Sequence, residues 1–171
     1  MRSIILCGFM GCGKTTVGQR LAERSGRVFL DLDQQIEKQA GMPITSIFAQ
    51  FGEGDFRRRE REACRALGAR ENLVLATGGG ALCDPDNAAV LSRAGDIVLL
   101  DAPLPLLLKR LEGDTTRPLL ARPDREAAAA ALYAQRMPLY RAAAARIVDA
   151  SDDPDTVARA ILDTLGEASR E

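Results

Sequence analysis

Short apolar runs alternate along the chain with segments in which apolar residues recur at helical spacing. The runs predict five buried strands, over residues 3–7, 28–30, 73–77, 97–100 and 146–148. Helical spacing covers residues 14–25, about 34–40, 44–51, 53–70, 105–112 and 157–165, and two more helices start near 85 and 124. This alternation predicts an α/β fold with a parallel sheet covered on both faces. No linker divides the chain, so we expect one domain over residues 1–171.

Particular residues mark where the predicted helices begin or break. Asp84 followed by proline is a typical helix start, and Asp124 is expected to cap a long alanine-rich helix. Pro138 lies inside that helix and must kink or interrupt it. The segment 113–123 fits neither period and contains one glycine, two prolines and two arginines. We therefore predict a mobile loop over these residues.

The most specific motif lies between the first strand and the first helix. Residues 8–15 read GFMGCGKT, which matches the phosphate-loop pattern G-x-x-x-x-G-K-[ST] in its required context. Its backbone N–H groups can surround a phosphate, and the helix N-terminus adds partial positive charge. Lys14 would reach the β- and γ-phosphates, and the Thr15 hydroxyl would coordinate Mg²⁺. The sequence thus predicts a site for ATP and Mg²⁺, whose expected contacts are Gly11, Cys12, Gly13, Lys14, Thr15 and Thr16.

Two aspartates follow the second predicted strand. Asp31 and Asp33 are two residues apart, so their side chains would face the same side if the backbone stayed extended. In one interpretation Asp31 belongs to the Mg²⁺ shell, and Asp33 orients an acceptor hydroxyl or takes its proton. In the other, Asp33 only caps the helix that begins near Gln34. The residues by themselves leave both interpretations open.

Three arginines stand where a positive charge could act on a ligand. Arg57 opens the run 57–59 on a charged helix, where we expect two of the three arginines to be solvated. Arg136 lies just before Pro138. Arg117 lies in the loop 113–123, where it could close over ATP and add positive charge in the transition state. A solvated loop charge is the alternative for Arg117.

Composition and charge exclude several classes of function. The net charge is −1, so no overall field attracts nucleic acid or an anionic membrane. Histidine is absent and the four cysteines form no C-x-x-C pair, which removes zinc-finger and histidine-based chemistry. No apolar run approaches the ~20 residues of a membrane span, and a strand follows the first residues in place of a signal peptide. We expect a cytoplasmic protein with a small-molecule substrate and with no nucleic acid or membrane partner.

Six motifs occur along the chain in the order found in one enzyme family. They are GFMGCGKTT at 8–16, Asp-x-Asp at 31–33, GExxFRxxE at 52–60, GGGA at 78–81, RPLL at 117–120 and RxPLY at 136–140. Together they resemble the shikimate kinases over residues 3 to about 161, which is essentially the whole domain. Each motif after the first is weak alone, but six in order are highly specific.

The resemblance implies a fold and a reaction. The fold is the three-layer P-loop fold of nucleoside monophosphate kinases, with a five-stranded parallel sheet in the order 2-3-1-4-5, helices on both faces and a mobile lid. The reaction is transfer of the γ-phosphoryl group of ATP to the 3-hydroxyl of shikimate, a step on the pathway to chorismate and the aromatic amino acids. The resemblance also implies a monomer.

Roles for acceptor-side residues follow from the same resemblance. Asp33 would bind the acceptor hydroxyls and serve as the base. Arg57 and Arg136 would hold the shikimate carboxylate, and Gly79 would contact the substrate through its backbone. Glu60 would hold Arg57 in place.

On the nucleotide side, the resemblance implies that Arg117 is the lid arginine on ATP and that Arg110 lies near the adenine. The lid would span about 113–123, and the substrate-binding helices would span about 33–61.

Two residues depart from the family pattern. Leu32 stands between the two aspartates where the family usually has Ser or Thr, for which we expect only a local packing difference. Cys12 occupies a variable loop position where small residues are common. Because a helix N-terminus can lower the pKa of a thiol, one hypothesis is that thiol reagents inactivate the protein through Cys12 and that ATP protects it. An inert small residue is the alternative.

Two other classes of protein compete with this interpretation. A gluconate-type or nucleoside monophosphate kinase would share the architecture, and arginines alone do not distinguish a carboxylate from a phosphate. The GGGA and RxPLY motifs favour shikimate over these acceptors. A non-catalytic P-loop binding module would predict damaged catalytic positions, yet Lys14, Thr15, Asp33 and Arg117 are all present.

Overall fold

A computed structural model describes residues 1–114 and 117–168. Its strands are β1 (Ser3–Cys7), β2 (Val28–Asp31), β3 (Leu73–Ala76), β4 (Gly95–Asp101) and β5 (Arg146–Asp149). All neighbouring strands pair in parallel, in the order β2-β3-β1-β4-β5. The predicted α/β class and strand order are therefore confirmed.

Within residues 1–114 and 117–168, seven helices and two 3₁₀ turns connect and cover the strands. The helices are α1 (Lys14–Ser25), α2 (Leu32–Ala40), α3 (Ile44–Gly68), α4 (Pro85–Ala94), α5 (Leu104–Arg110), α6 (Arg125–Ala143) and α7 (Pro154–Leu165), and the 3₁₀ turns are Ala81–Cys83 and Pro118–Ala121. α1 packs on α7, and α3 packs on α2 and α4. Every side chain of β1 and β3 is buried. Because successive strand side chains point to opposite faces, both faces of the central sheet are covered.

The parallel sheet brings all strand ends with functional residues to one edge. β1 leads into the phosphate loop, β2 ends at Asp31, and β3 is followed by Thr77 and the glycine turn 78–80. The Thr77 hydroxyl and backbone N–H both donate to the Leu6 carbonyl, at 2.9 and 3.0 Å, which ties the end of β3 to the end of β1. In sheets of this kind ligands bind at the carboxyl ends of the strands.

Three helix predictions have different outcomes. α3 contains one non-helical residue, Gly52 (φ 81°, ψ 173°), at the boundary that the sequence predicts. Asp84 caps α4 as predicted, accepting from the Asp86 N–H at 2.9 Å. The Asp124 carboxylate makes no capping bond and instead accepts from Arg122 at 2.9 and 3.0 Å. The predicted cap is therefore wrong, because a neighbouring guanidinium competes for the same oxygens.

The predicted interruption at Pro138 is also wrong, because α6 continues through it to Ala143. Proline removes one donor, and the carbonyl that loses it belongs to Ala134, which is exposed and can bind water. On the opposite face Met137 and Tyr140 are buried in the core. Packing of these two side chains holds both halves of the helix against the sheet.

Only part of the predicted loop 113–123 can be described. Residues 115 and 116 lie outside the described residues, and residues 118–121 form a 3₁₀ turn with Leu120 buried. The role of the segment as a mobile lid stays a prediction. Among the described residues, no helix is both long enough and apolar enough to cross a membrane.

A buried ion pair joins the two ends of the described chain. The Arg27 guanidinium donates to both oxygens of Glu167 at 2.6 and 2.7 Å and to the Arg2 carbonyl at 3.0 Å. Only 1% of the Arg27 side chain is exposed. Removing the carboxylate would leave a buried guanidinium without its charge partner, which is costly in a protein interior.

We predict that Glu167→Ala lowers the free energy of unfolding by about 2–3 kcal/mol at pH 7, the usual size of a hydrogen-bonded charge partner. Urea denaturation measures this loss. Glu71→Ala is the matched control, because Glu71 is exposed and has no ion pair among the described residues. An equal loss in both variants would contradict a specific role for the pair.

The Arg27–Glu167 ion pair also predicts how the stability of the protein depends on pH. The hydrogen bonds from Arg27 lower the pKa of Glu167 in the folded protein. A lowered folded pKa adds stability above the unfolded pKa, and that stability is lost as pH falls through the folded value. The difference in the free energy of unfolding between wild type and Glu167→Ala should therefore become smaller below about pH 4.

Candidate active site

The loop between β1 and α1 is shaped to receive an anion. Gly11 has φ 82° and Gly13 has φ 93°, conformations that residues with a Cβ rarely adopt. Gly13 occupies the N-cap position of α1 without any side-chain capping bond, and the first turn contains no acidic residue. The N-terminal N–H groups of α1 and its partial positive charge are therefore left for a ligand.

Lys14, Thr15 and Thr16 open helix α1 beside this loop. The Lys14 ammonium donates to the Gly8 carbonyl at 2.6 Å and lies 3.5 Å from the Phe9 carbonyl, so it folds back over the loop. Thr15 and Thr16 are exposed. Loop backbone, ammonium and hydroxyls thus share one end of the helix.

Cys12 is packed inside the loop. Only 2% of the residue is exposed, and its Sγ lies 3.7 Å from Lys14 Nζ. The thiol reaches toward Gly8, where a Cβ atom would come within 2.7 Å of it. This burial speaks against the hypothesis that thiol reagents reach Cys12 and supports the alternative of a small packing residue.

The two aspartates do not lie on one extended segment. α2 begins at Leu32, and Asp31 is its cap, accepting from the Gln34 N–H at 3.1 Å. Asp33 lies in the first turn of the helix. The interpretation of Asp33 as the cap is therefore wrong, and so is the extended pair. Leu32 is fully buried, and the expectation that this departure causes only a local packing difference stays a prediction.

Asp33 has an acceptor oxygen with no partner. Its Oδ1 is buried and makes no hydrogen bond to any described residue. Burial raises the pKa of Asp33 to about 6, with a further rise from Asp31 and Glu60 and an opposing effect of Lys14. A carboxylate in this state can accept a hydroxyl hydrogen bond and can exchange a proton near neutral pH.

The glycine turn 78–80 lies directly against three charged side chains. A Cβ atom at Gly78 would lie 2.5 Å from Asp33 Oδ1, and one at Gly80 would lie 2.5 Å from Arg57 Nη1. A Cβ atom at Gly79 would collide with Arg136 Nη1. At each of these three positions a Cβ atom would force the end of a charged side chain to move, and glycine leaves that side chain its place. The turn therefore brings the predicted acceptor residues Asp33, Arg57, Gly79 and Arg136 together.

A cavity of about 360 Å³ contains the two arginines. It is lined by Glu53, Arg57, Gly80, Cys83, Asp84, Leu132, Gln135, Arg136 and Leu139. Two guanidinium groups on different helices can hold a carboxylate with directional, charge-assisted hydrogen bonds. The cavity is therefore suited to a small anionic ligand.

Glu60 fixes the position of one of these arginines. Its side chain is 2% exposed and accepts from Arg57 Nη1 at 2.9 Å. Burial raises the pKa of Glu60, and Arg57 opposes the rise. Arg58 and Arg59 instead bind Asp55 at 2.8 and 2.6 Å on the outer side of the helix. Of the three arginines, Arg57 alone lines this cavity, as expected.

Arg110 connects the phosphate loop to a segment that the sequence analysis did not assign to the site. Its guanidinium donates to the carbonyls of Ala150 at 2.9 Å, Ser151 at 3.1 Å and Gly11 at 3.4 Å. These groups border a second cavity, of about 480 Å³, between the loop and residues 150–154. The sequence analysis could have found this segment from the end of β5, because that strand end lies at the ligand-binding edge of the sheet.

Arg117 lies outside both cavities. It is exposed, and its Nε lies 3.5 Å from Asp114 Oδ2. The described arrangement thus combines a phosphate cradle, an anion cavity and a carboxylate oxygen without a hydrogen-bond partner, and the role of Arg117 as lid arginine stays a prediction.

Comparison with known proteins agrees with these features. The family model described as shikimate kinase matches residues 10–166. A shikimate kinase from Stenotrophomonas maltophilia is 50% identical over 159 residues, which is 92% of this chain and 87% of that protein. The shikimate kinase from Acinetobacter baumannii in complex with shikimate has a TM-score of 0.90 and 41% identity, covering 96% of this chain and 93% of that one.

Similarity to the gluconate-type kinases, which are the rival class, is much weaker. A gluconokinase from Sinorhizobium meliloti has a TM-score of 0.61 at 19% identity, covering 96% of this chain and 91% of that one. Such a low identity reflects the shared fold alone. The family match spans nearly all of the sequence, and the chain belongs to the shikimate kinase family.

Proposed function

We propose that this protein transfers the γ-phosphoryl group of ATP to the 3-hydroxyl of shikimate, giving shikimate 3-phosphate and ADP. The observation that carries the proposal is the glycine turn 78–80, against which Asp33, Arg57 and Arg136 all pack. Family membership supports ATP as the phosphoryl donor and shikimate as the acceptor. The protein's work in such a transfer is mostly positioning and charge stabilisation.

On the acceptor side, Arg57 and Arg136 bind the shikimate carboxylate. Their separate helices let them approach the carboxylate from two directions, and Glu60 holds Arg57 in place. The Gly79 backbone contacts the ring, since the absence of a Cβ lets a ligand come close. The 3-hydroxyl then donates to the free Oδ1 of Asp33.

Asp33 receives the proton during the transfer. As the 3-oxygen forms its bond to the γ-phosphorus, the bond from phosphorus to the ADP oxygen breaks, and the hydroxyl proton moves to the Asp33 carboxylate. The raised pKa of about 6 brings this carboxylate closer to the ideal for a base that works near neutral pH.

On the nucleotide side, the loop N–H groups, Lys14, Thr15 and Thr16 bind the phosphates. The cavity beside Arg110 receives the adenine, with residues 150–154 as its second wall. Arg117 closes over the β- and γ-phosphates from the segment 113–123. Its exposure and its loose contact with Asp114 leave it able to move.

The residues present fit Mg²⁺. Thr15 supplies an exposed hydroxyl, and Asp31 accepts from Gln34 through Oδ1 while its Oδ2 has no hydrogen-bond partner within the described residues. The described residues contain no cluster of three or more His, Cys, Asp or Glu side chains that could hold a metal. This suits an ion that keeps its waters and is held mainly by phosphate oxygens. Mg²⁺ would supply charge neutralisation on the phosphates, with Thr15 as ligand and Asp31 through water.

The family resemblance implies a monomer, and we propose that a monomer is active. We also propose that the domain spans 1–171, with substrate-binding helices at about 33–61. As an ATP-consuming biosynthetic step, the reaction is assigned to the cytoplasm.

ADP release tests the assignment of the acceptor. Shikimate, gluconate and AMP are offered side by side at equal concentrations, and we expect turnover with shikimate alone. Turnover with gluconate or AMP and not with shikimate would replace this proposal by the corresponding rival.

We predict that Asp33→Asn lowers kcat by about 100-fold or more while ATP still binds, because the amide cannot take a proton. Wild-type kcat/KM for shikimate should fall as pH drops through about 6, because Asp33 becomes protonated. In Asp33→Asn, kcat/KM for shikimate should not show this fall at low pH. Coupled ADP assays across pH, with calorimetry for ATP, measure both effects.

Asp86→Asn is the matched control, because Asp86 occupies the same first-turn position in α4 and is exposed. It should keep wild-type rates. Near-normal turnover in Asp33→Asn would remove Asp33 from the role of base.

We predict that Arg136→Ala raises KM for shikimate by about 10- to 100-fold and leaves KM for ATP within about twofold, because a charge-assisted bond to the substrate is lost. Steady-state kinetics with each substrate varied in turn measure the split. Arg141→Ala, an exposed arginine on the same helix, is the control and should change neither constant. If KM for ATP rises while KM for shikimate is unchanged, we have assigned Arg136 to the wrong ligand.

We predict that Arg117→Ala lowers kcat by at least about tenfold and raises KM for ATP, since positive charge is lost where the transition state is most anionic. Arg122→Ala is the control from the same segment, with a similarly exposed guanidinium. If both variants behave alike, Arg117 is a solvated surface charge.

A further inference from the structure

Tyr140 is a buried tyrosine that packs against the glycine turn 78–80. It lies on α6 four residues after Arg136, so the two side chains share one face of the helix. Only 1% of the residue is exposed. Its hydroxyl donates to the carbonyl of Gly79, in the middle of the glycine turn.

The glycine turn needs a stabilising contact from another part of the chain. Charged side chains pack against the Cβ positions of its residues, and three successive glycines have the greatest backbone freedom of any tripeptide. The carbonyls of Gly78 and Gly80 accept from the backbone N–H groups of Ala81 and Cys83, at 3.3 and 3.2 Å. The Gly79 carbonyl accepts instead from the Tyr140 hydroxyl, with the Cys83 thiol at a longer 3.9 Å. One side chain therefore sets the orientation of the central peptide.

The same hydroxyl is also next to Arg136. The Cβ position of Gly79 is bordered by Arg136 Nη1, Arg136 Cζ and, at 3.9 Å, the Tyr140 oxygen. Burial raises the pKa of Tyr140, and the nearby Arg136 guanidinium partly opposes this rise. The phenol therefore keeps its proton and remains a hydrogen-bond donor over the whole working pH range.

We propose that Tyr140 is a positioning residue for the acceptor, whose hydroxyl holds the Gly79 peptide and the neighbouring Arg136 guanidinium in the geometry that binds the carboxylated substrate. The proposal rests on the proposed placement of shikimate at Gly79 and Arg136. Tyr140 does not line the cavity between the phosphate loop and residues 150–154, so we assign its effect to acceptor binding.

Tyr140→Phe tests this proposal because it keeps the buried ring and removes only the hydroxyl. We expect KM for shikimate to rise at least about fivefold, kcat to stay within about threefold and KM for ATP to stay within about twofold. Tyr133→Phe is the matched control. Tyr133 lies two turns earlier on the same helix and donates to the Ala102 carbonyl at 3.2 Å, so it also loses one bond to a backbone carbonyl.

The comparison separates positioning from stability. Both variants should lower the thermal midpoint by similar amounts, but Tyr133→Phe should leave KM for shikimate within about twofold of wild type. If the two variants lower the midpoint alike and neither changes KM for shikimate, Tyr140 is a structural residue and the proposal fails. If Tyr140→Phe lowers kcat and raises both KM values by the same factor, the proposal is also overturned.

A measurement on the wild-type side chain covers the case in which Tyr140→Phe does not fold. The chain has only two tyrosines, so ¹³C-labelled tyrosine gives two ring signals, and Tyr133→Phe assigns them. Saturating shikimate should shift the Tyr140 signal and leave the Tyr133 signal in place. An unmoved Tyr140 signal in protein that binds shikimate would contradict the proposal.

The failure of the proposed function would look different. Absence of shikimate-dependent ADP release in the wild type would refute the reaction, and an unchanged shikimate KM in Arg136→Ala would refute the placement of the acceptor. A normal Arg136→Ala response together with an inert Tyr140→Phe would refute the role of Tyr140 alone.

Discussion

The close contact between a bare glycine backbone and three charged side chains is the constraint on which the rest of the site depends. Asp33, Arg136 and Arg57 approach Gly78, Gly79 and Gly80 so closely that a Cβ atom at any of the three would overlap them. The side chains come from three helices, α2, α6 and α3. Their convergence on one turn makes a space that is small, polar and charged.

Of these charged groups, Arg57 is held by a buried partner and Asp33 is controlled by its own burial. Glu60 is almost fully buried and fixes Arg57, at the cost of a raised carboxyl pKa. Asp33 has the opposite arrangement, since burial leaves its Oδ1 without a donor and brings its pKa to about 6. A fixed cation and an unsatisfied carboxylate are complementary to a ligand that carries both an anion and a hydroxyl group.

The nucleotide end uses backbone where the acceptor end uses side chains. The phosphate loop offers uncapped N–H groups at the start of α1, and Arg110 ties this loop to the segment after β5 through three carbonyls. Both ends lie at the carboxyl edge of one parallel sheet, which places donor and acceptor within a single rigid frame. Phosphoryl transfer demands this rigidity because alignment provides most of the catalysis.

The sequence by itself determined the strands, their order through the family motifs, the phosphate loop and the residues proposed to bind the acceptor, because local periodicity and fixed spacing carry that information. The folded structure decided what the sequence patterns leave open, including choices between partners that are close in sequence. Asp31 rather than Asp33 caps α2, Pro138 is accommodated because buried side chains hold α6 in place, and the Asp124 carboxylate turns to Arg122. The wall at 150–154, the burial that raises the pKa of Asp33 and the bond from Tyr140 to Gly79 likewise arise only when the chain folds. Burial, competition for a hydrogen bond and the approach of two backbones are properties of packed surfaces, and no linear pattern encodes them directly.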